Sequence, residues 1–81
     1  MKRIYELLLK SKYKLNHYYS DKAFTFEEVN GDWSKQFTIS KYGRKYKVDG
    51  FEGTANCIRT FNIELDTYQE VIKYLGIWKP I

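Results

Sequence analysis

Eighty-one residues, with fourteen Lys and Arg against ten Asp and Glu, give a chain of net charge +4 and room for one hydrophobic core. The single cysteine, Cys57, excludes an intramolecular disulfide and a cysteine-only zinc site. Eight Tyr, five Phe and two Trp supply the large apolar side chains a domain of this size needs, because it buries only about 60–65% of its unfolded surface.

The charge is zoned. Residues 1–22 carry six cations against two anions, residues 23–40 one against three, and residues 41–50 four against one. Two basic zones of this kind suit a nucleic acid, an acidic protein partner or an anionic surface, and equally two solvated faces.

In chain order, Met1, Ile4, Leu8 and Leu15 stand at helical spacing, with Tyr5 and Leu9 broadening the stripe and most of the lysines off it. This predicts an amphipathic helix, defined to about Ser11 and extendable to Tyr18, with Ser20-Asp21 as its end. Glu6 and Lys10 interrupt the apolar run, which is too short for a signal core or a membrane span.

A meander follows. Asn30-Gly31 signals a two-residue hairpin turn that pairs Val29 with Asp32, hence Phe24 with Phe37. A turn at Tyr42-Gly43 pairs Lys41 with Arg44, hence Ile39 with Tyr46 and Phe37 with Val48. Alternation then puts Phe24, Phe26, Trp33, Phe37, Ile39, Tyr46 and Val48 on one face. Thr25, Glu27, Ser34, Gln36, Thr38, Ser40, Lys45, Lys47 and Asp49 take the other. Aromatics and cations therefore point in opposite directions.

The segment DGFEGTAN, residues 49–56, reads as a loop, and CIRTFNIEL as a fourth strand with Cys57, Phe61, Ile63 and Leu65 on one side. Thr67 with Glu70 forms a capping-box pattern, Tyr68, Val71, Ile72 and Leu75 share a helical face, and Gly76 stops the helix. The expectation is a single α+β domain over residues 1–81. It has a four-stranded antiparallel sheet with two helices packed on one face, in the order α-β-β-β-β-α.

The chemistry-bearing residues do not assemble into a catalytic motif. His17 has no local Ser or Cys partner, and Cys57 occupies an inward strand position where a thiol acts as a small hydrophobe. Glu27 and Glu28 face opposite ways, a poor acid–base pair and a poor metal cage. Gly43, Gly50 and Gly53 lack the lysine and helix of a phosphate loop. No activity, cofactor or metal is expected.

Binding is expected instead, at Lys41, Tyr42, Arg44, Lys45 and Lys47, with Tyr42 at the hairpin apex and Lys45 and Lys47 on the polar face. Lys10, Lys12 and Lys14 form a secondary basic patch. Further anchor candidates are Phe51, Trp78 and Ile81, with Trp78 favoured as a core closure. Tyr13, Tyr18 and Tyr19 are expected to line the junction of helix and sheet. A polar open face without aromatics argues against a platform that stacks single strands.

The helix–sheet–helix skeleton is similar in outline to double-stranded RNA-binding domains, but Asp66-Thr67-Tyr68-Gln69-Glu70 stands where that family has a lysine-rich helix start. The part from Trp33 to Gly76 resembles in outline the three-stranded DNA-binding domains of integrases. In length and make-up the whole chain resembles small phage and mobile-element accessory proteins of the anti-CRISPR type, inhibitors of host defence. That resemblance implies a cytoplasmic, single-purpose inhibitor of a protein or nucleoprotein complex. The alternative is a direct DNA- or RNA-binding module using the same hairpin. No membrane is expected as a partner, and the chain is expected to be a monomer or a homodimer.

Overall fold

The computed structural model describes residues 1–78. Its elements are α1 (Lys2–Leu9), β1 (Lys14–Ser20), β2 (Ala23–Asn30), β3 (Trp33–Tyr42), β4 (Lys45–Thr54), β5 (Cys57–Leu65) and α2 (Tyr68–Leu75). The strands form one antiparallel sheet in the order β1-β2-β3-β4-β5, a meander in which each strand pairs with its sequence neighbour. The fold is α+β with an antiparallel sheet and two helices, as expected, but with five strands rather than four.

The extra strand is β1, which the helical reading absorbed. Ser11 ends α1: its hydroxyl donates to the Leu8 carbonyl at 2.6 Å and accepts from the Tyr13 backbone N–H at 3.1 Å. The chain then pairs with β2, with register shifts between Leu15 and His17 and between Tyr18 and Ser20. The first bulge places Leu15 and Tyr18 three residues apart on one face. A bulged strand thus mimics helical spacing. Leu15, expected on the helical stripe, is a half-exposed strand residue.

Both hairpins turn one residue later than the expected register. Asn30 pairs with Trp33 around Gly31-Asp32, and Tyr42 pairs with Lys45 around Gly43-Arg44. Gly31 and Gly43 each stand at the first turn position with positive φ (63° and 62°), which a two-residue turn needs there and a glycine supplies without strain. Each register therefore moves by two residues, pairing Phe24 with Ile39 and Phe37 with Gly50. A shift of two preserves side-chain faces, so the predicted division into an apolar and a polar face survives.

Two cross-strand rows make the sheet's half of the core. One runs Phe26, Phe37, Gly50, Phe61; the other runs Phe24, Ile39, Val48, Ile63. Ile4 and Leu8 of α1, Val71 and Leu75 of α2, and Ile77 close over them, all buried. Tyr13 joins the layers: it packs edge-on to Phe37, and its hydroxyl donates to the Leu75 carbonyl at 3.4 Å. Thr67 accepts the Glu70 N–H at 3.2 Å and so caps α2 as expected, while its own hydroxyl donates to the Glu70 carboxylate. The rows bury rings and branched chains at about 1.5–3 kcal/mol each, which makes them the main source of stability.

Each helix has eight residues and spans about 12 Å, whereas the ten-residue strands β3 and β4 span about 33 Å. Beyond the helices the same face turns charged, with Glu28, Lys35, Glu52 and Arg59 alternating in sign across the strands. Lys35 bridges the two zones: its ammonium lies 5.4 Å from the Tyr13 ring centre and 5.7 Å from that of Phe61. Cys57, expected inward, is exposed, because it starts β5 at the end that the helices do not reach. Of the tail, Ile77 is buried and Trp78 is more than half exposed, contrary to the expected core closure; Ile81 lies outside the described residues.

The expected loop at 49–56 is mostly strand, since β4 runs to Thr54. Gly50 is there for space. A Cβ at that position would lie 2.0 Å from the Gln36 carbonyl oxygen and 2.7 Å from the Phe37 Cα, both backbone atoms of β3. Gly50→Ala is therefore expected to cost about 1–3 kcal/mol or more and to lower Tm by roughly 10 °C. An unchanged melting curve would contradict the β3–β4 register.

Candidate functional site

The meander has two ends. Along one lie the β1–β2 and β3–β4 turns, the last residues of β5, and the starts of α1 and α2; along the other lie the β2–β3 and β4–β5 turns, beyond the ends of the helices. The first end gathers Lys2 and Arg3 from α1, Lys22 from the β1–β2 turn, and Lys41, Arg44, Lys45 and Lys47 from the β3–β4 hairpin. Two stretches far apart in sequence thus meet. A backbone hydrogen bond from the Lys41 N–H to the Lys22 carbonyl, 2.9 Å, ties them together.

The hairpin residues take different roles from those expected. Arg44, with Gly43, forms the turn, while Tyr42 is the last residue of β3. Tyr42 is on the open face, where its hydroxyl donates to Glu64 at 2.7 Å. Lys45 and Lys47 are on that face too, as expected. Lys45 reaches Asp66 at 3.8 Å, a solvent-exposed pair worth about 0–1 kcal/mol. Lys47 has Glu64 as its cross-strand neighbour on β5. Lys41 turns to the helix face, its ammonium 5.3 Å from the Tyr46 ring centre. Arg44, among the described residues, makes no ion pair and stands exposed at the tip.

The secondary patch does not join this site. Lys10 caps α1, Lys12 lies in the connection to β1, and Lys14 starts β1, all at the opposite end of the sheet. Lys12 pairs with Glu28 at 3.6 Å, and Lys14 stands opposite Glu27. Lys12 and Lys14 thus have carboxylates beside them, and the secondary patch is a separate cluster from the hairpin.

The open face is polar in its central rows. Thr25, buried there, shares a 2.7 Å hydroxyl hydrogen bond with Thr38. Contrary to expectation it is not free of aromatics: Tyr42 and Phe51 are exposed on it, and the exposed Tyr19 meets His17 with ring centres 4.2 Å apart and planes tilted by 54°. Tyr19 is thus not at the helix–sheet junction, whereas Tyr13 is buried in it. Only the bulges in β1 decide which way Tyr18 and Tyr19 point, and no sequence pattern announces them.

Catalytic groups stay apart. His17 is on β1 and Cys57 on β5, the two edges of the sheet, four interstrand spacings or about 19 Å from each other. They cannot form a thiol–imidazole pair. Among the described residues no three His, Cys, Asp or Glu side chains gather as metal ligands, and no helix is long and apolar enough to cross a membrane.

Beside the turn, a cleft of about 480 Å³ opens between the start of α1, the β1–β2 turn and the base of the β3–β4 hairpin. Lys2, Lys22 and Lys41 line it together with Tyr5, Tyr18 and Phe24. The Tyr18 hydroxyl donates to Asp21 at 2.6 Å. That bond raises the Tyr18 pKa, as the Glu64 bond raises that of Tyr42, because ionising either phenol breaks its bond and sets two anions together.

Each bond is intact below the ordinary tyrosine pKa and is lost as the phenol ionises above it. In an NMR pH titration, Tyr42 should ionise above its ordinary value of about 10, and Glu64→Gln should bring it back towards that value. A Tyr42 midpoint indifferent to Glu64→Gln would contradict the contact.

No family model, curated protein or solved structure matches this chain.

Proposed function

We propose that this protein is a non-enzymatic binding protein of the inhibitor type, which docks the cationic end of its sheet on a nucleoprotein complex. One observation carries the reading: Lys2, Arg3 and Lys22 converge with Lys41, Arg44, Lys45 and Lys47 at one end, while Glu27 and Glu28 offset the other lysine cluster. Such a surface attracts phosphates or acidic side chains over several ångströms, and chiefly raises association rate and selectivity. An inhibitor of the anti-CRISPR type, which blocks a host complex without turning anything over, falls within this reading. Direct binding of DNA or RNA is the second reading, favoured by the aromatic walls of the cleft beside the same cations.

Labelled single- and double-stranded DNA and RNA, titrated across a salt series, separate the two. Direct binding predicts appreciable affinity at physiological salt and a log–log slope of about 0.9 per phosphate contacted on duplex DNA. That slope should shrink when Lys45 and Lys47 become Ala. Docking on the protein part of a complex predicts weak binding that vanishes at physiological salt. Under either reading, combined reversal at Arg44, Lys45 and Lys47 to Glu abolishes partner binding. Binding that survives the triple reversal would overturn the proposal.

A further inference from the structure

We propose that the cleft at the start of α1 is a nucleotide site, which takes the phosphate on Lys2, Lys22 and Lys41 and the base against Tyr18. The inference rests on the reading of this end of the sheet as a phosphate-binding surface, and names the ligand that the surface is built to hold.

Charge comes first. Three lysines line the cleft against one acidic residue, Asp21, whose carboxylate already accepts the Tyr18 hydroxyl at 2.6 Å; the Lys41 ammonium rests over the Tyr46 ring at 5.3 Å and would swing from it to meet an anion. The first turn of α1 adds to the same potential: it contains no acidic residue, and no side chain caps it. The contrast lies at the opposite end of the sheet, where Lys12 and Lys14 share their cleft with Glu27 and Glu28. One cleft is self-neutralised; the other is left positive.

The walls then select among anions. Tyr5 meets Phe24 edge-on with ring centres 4.9 Å apart, and Tyr18 edge-on at 5.4 Å. Tyr18 lies nearly parallel to Phe24, at 9° and 6.3 Å. Phe24 is buried while Tyr18 is 46% exposed, so the aromatic packing of the core emerges at the cleft wall. The Tyr18–Asp21 bond holds that ring in place. An exposed, fixed ring is a stacking surface for any base, and the neighbouring lysines suit a phosphate as point charges. A volume of about 480 Å³ is in the range of small-molecule sites. Inorganic phosphate would leave the aromatic wall unused, and a nucleoside would leave the lysines unused. A nucleoside monophosphate uses both, whether free or at the 5′ end of a strand.

The test is a two-dimensional NMR titration of the full chain with AMP, adenosine, inorganic phosphate, and a short single strand with or without a 5′-phosphate. AMP should shift the Tyr5, Tyr18, Lys22 and Gly43 resonances. Adenosine and phosphate should each bind roughly tenfold more weakly or worse. Lys22→Glu and Tyr18→Ser, both at exposed positions, should each weaken AMP by a similar factor while the remaining spectrum stays that of the folded protein. Tighter binding of the 5′-phosphorylated strand than of AMP assigns the site to strand ends; the reverse assigns it to free nucleotides.

Shifts centred on Arg44, Lys45 and Lys47, and indifferent to Lys22→Glu and Tyr18→Ser, would overturn the nucleotide site while leaving the cationic hairpin standing. If no probe binds, and charge reversal at the hairpin also leaves partner binding intact, the site and the reading beneath it both fail.

Discussion

The structure depends on one constraint, the pairing of Gly50 with Phe37 between β3 and β4. At that point the two backbones are so close that a single added carbon would touch the carbonyl of Gln36. Sliding β4 by two residues would keep every side chain on its face, but would bring Val48 opposite Phe37 and set Gly50 against Lys35. Face alternation alone cannot choose between these registers, whereas close approach at a residue without a side chain can. Once β3 and β4 are fixed, the apolar rows align, Phe26 and Phe61 flank Phe37 and Gly50, and the helices have a continuous surface to cover.

That register also decides where the charge goes. It ends β3 at Tyr42, sets Arg44 at the turn, and brings Glu64 and Asp66 of the β5 end beside Tyr42 and Lys45. The cationic end is thus tempered on its open-face side by two carboxylates. Towards α1, the lysines of the cleft have Asp21 alone. The asymmetry makes the helix-face side of the tip the more positive half, and it is the half with an aromatic wall.

Much of this was legible in the residues, for identifiable reasons. Phe24, Phe26, Phe37, Ile39 and Val48 alternate strictly, so their common face survived a wrong turn position at both hairpins. Thr67, Glu70 and Gly76 mark α2 through local chemistry that tertiary structure did not override. What failed was governed by contacts between distant segments. Two bulges against β2 disguise β1 as helix. Gly50 and Gly53 read as loop residues, although both sit in β4 where its neighbours come too near for a side chain. The cleft had no signature at all, because Lys2, Lys22 and Lys41 meet only after the meander has folded. Charge zoning gave the sign of that end of the molecule, but only topology shows that Lys12 and Lys14 lie at the other end of the sheet, beside Glu27 and Glu28.

The central claim is that folding concentrates positive potential at one end of the sheet. Paired soluble nitroxide probes of equal size, one anionic and one neutral, measure it residue by residue through the paramagnetic broadening of backbone resonances. The difference between the two probes should be largest at Lys22, Gly43, Arg44 and Lys45, small at Lys10, Lys12 and Lys14, and should fade as salt screens the field. An even difference over the surface, or one centred on Lys10 to Lys14, would contradict the account.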